Sequence, residues 1–411
     1  MRSVYKSYAS SLRRRLRRPV LWLLNHLGPG KRAPVIGEPI HRILLIRYAG
    51  IGDVVMILGL LGTLRQLYPS AQIDVVTSAA TAPILEHSPL VDRVHISVDP
   101  MKASRTAYLR SLPALRQLSI PPYDLAILAH GPFIYQWALV AVDATYKVSF
   151  DSDDRGFSFA ATHTAGTYTD PHPLAPIHRR STINEHFHDL LRAFRGEGVQ
   201  ATAPRILLTE AERKAGAAWL RDQRLESPIV FLELGGTDAL KRWPVDRFAE
   251  LAKRCVTDLG CSVVIDGGPA ESRFASHFAN MPGSVCFAAG RLTLRENLAV
   301  LSHASAVVGS DTGMIHAAFG LDVPTIAIFG PTAWSVYGHQ SVTNVVLTAG
   351  LDCQPCIAST CRLLVNVSST QPPCMDAVSV DSVVTAIHAV ASRNTTNVKS
   401  GVGVRLHVRA I

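Results

Sequence analysis

Short apolar, β-branched runs alternate along the chain with glycine-bearing turns and amphipathic stretches. In the first half the runs at 43–46 (ILLI), 73–77 (IDVVT), 94–98 and 125–128 read as strands, with another at 148–150. Between them, 54–68 is apolar enough for a buried helix, 99–118 is a basic helix-like stretch, and 184–195 is amphipathic. Residues 151–180, rich in Gly, Pro, His, Thr and Asp, read as irregular loop. In the second half Thr209, with Glu210 and Glu212 behind it, opens a helix to about 224. Strands follow at 229–232, 262–265, 304–308 and 323–329, with helices at 248–259, 294–302 and, briefly, 314–319. The alternation runs twice, with a weak division around 196–208. It predicts two α/β units with parallel sheets and a cleft between them, ligands lying outside the carboxyl ends of the strands.

The glycine-bearing turns fall at such ends. In 304–331 (ASAVVGSDTGMIHAAFGLDVPTIAIFGP), Ser310, Asp311 and Thr312 are N-cap residue types before a short helix that Gly320 ends. So short a helix adds little stability by itself. Its free amides and dipole make a ready anion site, although an ordinary capped β-α-β crossover fits the residues as well. Residues 43–53 run from a strand into Arg47-Tyr48-Ala49-Gly50-Ile51-Gly52-Asp53 and a helix, a nucleotide-fold opening. It is a poor dinucleotide fingerprint. Val55 or Met56 stands where a third small residue belongs, and 73–77 leads into Ser78 without the acid that grips a ribose. Asp53, in the helix's first turn, would repel a pyrophosphate. It either caps the helix or faces the cleft as a base.

Length and composition refine this. A chain of 411 residues suits two domains; 47% hydrophobic and 18% charged residues mark a globular protein. The formal charge of +9 favours anionic partners without choosing among them. No apolar run reaches the ~18 residues of a spanning helix. Residues 1–40 differ from the rest: Arg13, Arg14, Arg15, Arg17 and Arg18 adjoin Trp22, Leu23 and Leu24, with Pro19 between them. That suits peripheral contact with a membrane surface through residues 11–27, or a basic tail; a signal peptide would need a longer clean apolar run. Seven cysteines, an odd number, point to a reducing compartment, the cytoplasm. Cys353, Cys356, Cys361 and Cys374 cluster irregularly, Asp151-Ser152-Asp153 has a DxD spelling, and the histidines at 163–188 are scattered. None of these is read as a metal site.

Three segments together, RYAGIGDVVMILGLLGTLRQLYP, GGTDALKRWPVDRFAELA and VVGSDTGMIHAAFGLDVPTIAIFGPT, resemble the ADP-heptose:lipopolysaccharide heptosyltransferases, glycosyltransferase family 9. The resemblance runs from about residue 42 to about 387. It implies a GT-B fold of two Rossmann-like domains, the first binding acceptor and the second the nucleotide-sugar donor. The corresponding division here is a basic extension over 1–40, an acceptor domain over 41–205, a donor domain over 206–350, a Cys-containing segment and helix over 351–390, and a tail over 391–411. The resemblance also implies inverting, metal-independent transfer of heptose, with no cofactor beyond the donor and no nucleic-acid partner. The aspartate of the GxGD turn, Asp53 here, is then the general base, with Gly52 beside the acceptor; Arg47, near the turn, either helps to hold the acceptor or makes a simple structural pairing. Lys241 meets the donor phosphate, Thr237 lies in the same loop, Glu271 is the nearest match to the acid that contacts the nucleoside, and Asp311, Thr312 and Gly313 wrap phosphate and sugar; His316 lies in the same motif, although its own chemistry reads as a packed helix histidine. Such a site suits an anionic glycolipid or oligosaccharide acceptor and work at the inner face of the cytoplasmic membrane. The competing readings are an NAD-dependent Rossmann oxidoreductase and a non-catalytic nucleotide-sugar-binding protein at the membrane surface. The first is disfavoured by the defective fingerprint, the second by Asp53 and Lys241 both being present.

Overall fold

The computed structural model describes residues 35, 37–48, 50–129, 133–151, 160–167, 182–196, 198–236, 238–339, 341, 343–356, 361–364 and 371–394. The N-terminal basic segment, Thr237, Ser152 and Asp153 lie outside them. Two parallel sheets form the frame. The first takes β1 (Arg42–Ile46), β2 (Gln72–Thr77), β3 (Arg93–Ile96), β4 (Tyr123–Leu128), β5 (Ala144–Asp151) and β6 (His163–Thr167) in the order β3-β2-β1-β4-β5-β6. The second takes β7 (Ile229–Glu233), β8 (Ser262–Asp266), β9 (Val285–Phe287), β10 (Ala306–Ser310), β11 (Thr325–Phe329) and β12 (Asn344–Thr348) in the order β12-β11-β10-β7-β8-β9. Counted from its own first strand, the second repeats the order of the first. Both are doubly wound Rossmann-like sheets, with their strand order reversing beside β1 and beside β7. The predicted two-unit parallel architecture is therefore the observed one.

The helices explain the cleft. α1 (Ile51–Leu67) is apolar nearly all round, and Val54 to Leu61 are all buried. One side packs on its own sheet. Another meets α8 (Gly313–Gly320) of the second unit, so the middle of the helix is shut off from water. α4 (Ile183–Arg195) flanks α1 and is started by a Thr182–Glu185 capping box. α5 (Glu210–Asp222) opens on the expected Thr209–Glu212 box. Its Glu212 carboxylate is clamped at 2.7 Å by two nitrogens of Arg295 on α7 (Leu294–Leu301), and Arg295 Nη1 also donates to Pro83 O of the first unit at 3.2 Å. One core runs without a break from Ile57 and Phe187 to Leu298 and Ala317. On the far side of the first sheet, α2 (Arg105–Leu118) and α3 (Gln136–Ala141) close a separate core with Leu44, Ile46 and Tyr48. α6 (Val245–Thr257) and α9 (Val380–Asn394) cover the outer face of the second sheet.

Several elements differ from the pattern reading. β6 lies inside the stretch expected to be irregular. β9, at the edge of the second sheet, carries only three residues, too few for periodicity to show. α6 starts at Val245 because Pro244, at its N-cap, sets the entry of the chain.

Candidate active site

Three loops leave the strands at the two reversal points and face one cleft of about 920 Å³. The 47–53 turn follows β1, the 234–244 loop follows β7, and the 311–313 turn follows β10. Of the residues singled out from the sequence, Gly52, Asp53, Lys241, Glu271, Asp311, Thr312, Gly313 and His316 line this cleft.

On the first wall, Asp53 is the third residue of α1, and its side chain is 42% exposed. Its Oδ2 accepts the Gly50 N–H at 2.9 Å, so it does hold the start of the helix. Its Oδ1 accepts from Arg47 Nη2. The two functions left open by the sequence are compatible: a carboxylate fixed by backbone and guanidinium still opens onto the cleft. Arg47 is placed differently from a residue touching an acceptor. It is 1% exposed, does not line the cleft, and lies over the Phe187 ring at 5.3 Å. It holds Asp53 from behind. Gly52 likewise abuts the opposite wall. A Cβ there would sit 2.6 Å from His316 Cδ2, and one on Gly313 would sit 2.8 Å from Ile51 Cβ. The two helix starts touch because both positions lack side chains.

On the second wall, the Asp311 side chain is buried and accepts from three donors. Lys241 Nζ lies 3.0 Å from its Oδ2, Thr332 Oγ1 2.7 Å from the same oxygen, and His316 Nε2 3.3 Å from Oδ1. Burial opposes the charge, but these contacts overcome it and hold the carboxyl well below its usual range. Asp311 is thus a neutralised anchor rather than the helix cap its residue type suggested. The α8 N-cap, Thr312, makes no side-chain cap bond, and its buried Oγ1 has no partner among the described residues. The α8 N-terminus therefore faces the cleft uncapped, with a hydroxyl to spare, as an anion site requires. His316 Nδ1 is 3.0 Å from His339 Nε2, and the His339 ring stacks on Phe319 at 3.6 Å. Burial, then the neighbouring His316, push His339 down to about 2, so it is neutral.

Several residues that shape the cleft escaped the sequence reading. Arg242 Nη2 pairs with Glu271 Oε1 at 3.4 Å, while Arg242 Nε donates to Gly236 O at 2.8 Å. Glu233 and Asp266 end the adjacent strands β7 and β8 in register. Burial raises both carboxyls; the charge of Asp266 adds to it at Glu233, which sits well above its usual value, while hydrogen bonds from Asn297, Gly267 and Glu233 offset part of the rise at Asp266. Acids closing two apolar strands were a readable signal; Thr332 and His339 gave none. Trp243 has the packing role expected of it, with its indole donating to Val378 O at 2.9 Å.

The four clustered cysteines border a separate small cavity, and burial leads the causes that push the Cys374 thiol up to about 11. Among the described residues no group of three His, Cys, Asp or Glu side chains is placed to hold a metal. Among them, too, no helix is long and apolar enough to cross a membrane.

The comparisons with known proteins agree with this geometry. Residues 113–365, more than half of the chain, match the model of glycosyltransferase family 9 (heptosyltransferase). The chain is 27% identical over 361 residues to lipopolysaccharide heptosyltransferase 1 of Pseudomonas aeruginosa, covering 85% of this chain and 98% of that protein. It is 24% identical to lipopolysaccharide heptosyltransferase 2 of Salmonella typhimurium, over 71% of this chain and 83% of that one. Its fold matches the family 9 glycosyltransferase of Veillonella parvula with a TM-score of 0.71, at 20% identity, covering 88% of this chain and all of that one. It matches Escherichia coli ADP-heptose lipopolysaccharide heptosyltransferase II with a TM-score of 0.65, at 19% identity and 86% coverage of this chain. With two Rossmann-like sheets in the GT-B arrangement and its family sequence over most of their length, the chain belongs to glycosyltransferase family 9, the heptosyltransferases, and is a glycosyltransferase.

Proposed function

We propose that this enzyme transfers heptose from ADP-heptose to a lipopolysaccharide-core or related glycan, by inversion and without a metal in the transfer step. The observation that carries the reading is the shared cleft: Asp53 on one wall, Lys241 with the uncapped α8 N-terminus on the other. The relatives named as lipopolysaccharide heptosyltransferases, and a solved relative described with ADP-2-deoxy-2-fluoro heptose, support the choice of donor.

Inversion needs a base on the face opposite the departing diphosphate. Asp53 takes the proton of the acceptor hydroxyl as it attacks the anomeric carbon. The anomeric bond to ADP breaks as the new glycosidic bond forms, and ADP leaves with the bonding electron pair. Its growing charge is met by Lys241, the Thr312 hydroxyl and the first amides of α8, which stand ready before reaction. Asp311 holds Lys241 in the cleft until the donor arrives. Glu271, braced by Arg242, lies on the nucleoside side. The basic net charge suits an anionic acceptor at the inner face of the cytoplasmic membrane.

The test is a panel of nucleotide sugars offered with a core-glycan acceptor. ADP-heptose is expected to be the best donor, with activity unchanged by a chelator and the anomeric configuration of the product opposite to that of the donor by NMR. Preference for a UDP- or GDP-sugar would overturn the donor assignment. Loss of activity on chelation, restored by added metal, would overturn the metal-free step, and a retained configuration would overturn inversion.

A further inference from the structure

We propose that the outer face of the first unit, formed by α2, α3 and the loop after β3, docks on an anionic membrane surface. Among the described residues, most of the large apolar side chains left exposed fall in one span: Ile96, Met101, Leu109, Ile120, Trp137 and Val140. Met101, in the loop after β3, is 64% exposed; Leu109 is 51% exposed and Trp137 38%, although the helices bearing these two bury Tyr108, Leu115, Ala138 and Leu139 against the sheet. This layer lies on the side of the sheet opposite α1 and α4, the helices that join the core shared with the second unit.

The charges on this face point to the occupant. Between Asp99 and Asp124 the chain has no acid and four bases, Lys102, Arg105, Arg110 and Arg116, all exposed. On α2, Arg105, Leu109 and Arg116 stand at i, i+4 and i+11, one exposed stripe with a leucine between arginines, while Leu112 beside it packs partly on the core. On α3, Trp137 and Val140 stand at i and i+3 and are both exposed. Apolar side chains flanked by guanidiniums, with a tryptophan beside them, match the boundary between headgroups and acyl chains. A water-soluble anion would need the charges but not the exposed leucine and tryptophan.

Its position suits the reaction. The loop after β3 leaves the same carboxyl edge of the sheet as the Asp53 turn. Tyr135 links the two, its hydroxyl donating to Asp99 at 3.1 Å and its ring lying 5.2 Å from that of Tyr48. A glycolipid acceptor held in the bilayer would present its sugar at the first wall of the cleft. This use of the face rests on the proposed acceptor; the docking itself does not.

The test uses the full chain with phosphatidylcholine vesicles, with and without phosphatidylglycerol. A photo-crosslinking residue is placed at 109 or 140, with Leu363 on the other unit as control site. Crosslinks to lipid from 109 and 140 but not 363, only on phosphatidylglycerol vesicles, are expected. In the Arg105→Glu/Arg116→Glu double variant those crosslinks should fall by about tenfold or more, since each basic residue near an anionic surface matters severalfold. The same variant should transfer sugar to a lipid-free acceptor at the wild-type rate, which separates this inference from the proposed reaction. Crosslinks absent from 109 and 140 while the chain binds vesicles would overturn the proposal and leave membrane contact to another segment. So would crosslinks from 109 to a second copy of the chain instead of lipid.

Discussion

At the residue scale, the second wall depends on how three acids with buried side chains are treated. Asp311 is surrounded by donors and stays charged; Glu233 and Asp266 face one another and do not both stay charged. This has a consequence for stability. The folded chain keeps a proton on the Glu233–Asp266 pair that the unfolded chain releases near the ordinary glutamate value of 4.5. The pair's stabilising contribution is full below that value and is lost as pH rises through the window between it and the raised folded value. Asp311, held low, and Glu212, lowered to about 2 chiefly by Arg295, work the other way. Their contributions are full above the ordinary carboxylate range and are lost as pH falls from there through their lowered folded values. Stability should therefore peak on the mildly acid side. The melting temperature by calorimetry is expected to be at least about 3 °C higher at about pH 5.5 than at about pH 8. Glu233→Gln, which keeps a neutral donor there, should narrow the difference. A melting temperature that is equal or higher at pH 8 would show that the pair holds no extra proton.

At the scale of elements, α1 and α8 are the elements that bring the walls together, and glycine lets them meet. Ala at Gly313 would drive a methyl to 2.8 Å from Ile51 Cβ and 3.0 Å from Gly52 N, neither able to retreat without moving α1. Gly313→Ala is expected to cost about 1–3 kcal/mol in chemical denaturation and to slow transfer, because Asp53 moves away from Lys241 along with α1. Gly283→Ala, on a position with nothing within 4 Å of the added Cβ, is the matched control. Equal stability of the two variants would mean that the contact does not set the spacing.

These elements also show what could be read beforehand. Parallel strands buried on both faces give unbroken apolar runs, and the turns at their ends stand out as glycine and aspartate, so both sheets and three cleft loops were legible from Ile43–Ile46, Ile229–Leu232 and the 304–331 stretch. Contacts between distant segments were not. Nothing local to Arg47 says that it will be buried behind Asp53, nor does anything at Gly52 say that its neighbour will be His316. His339 and Thr332 enter the site only because β11 and the chain after it return to Asp311. The edge strands β6 and β9 were too short or too irregular for a period of two to register.

At the scale of the whole molecule, two copies of one sheet topology are set so that their strand reversals look at each other across one cleft. Each unit alone has half of a site. The first holds a fixed carboxylate open to solvent; the second holds a cation and an uncapped helix start suited to a diphosphate. The continuous core through α1, α4, α7 and α8, with the Arg295 clamp to Pro83, joins the halves. Chemistry that needs a base on one side and charge neutralisation on the other is what this joining makes available.

That division of labour is tested most directly by Asp53→Asn. The substitution keeps the size of the side chain and its acceptor oxygen toward Gly50 while removing the base. Binding of ADP-heptose by titration calorimetry and the transfer rate should be measured on the same preparations. Donor affinity is expected to stay within about twofold of wild type, since the donor wall is untouched, while transfer falls by about 10²–10⁴. Transfer at the wild-type rate with normal donor binding would contradict the assignment of Asp53 as the base.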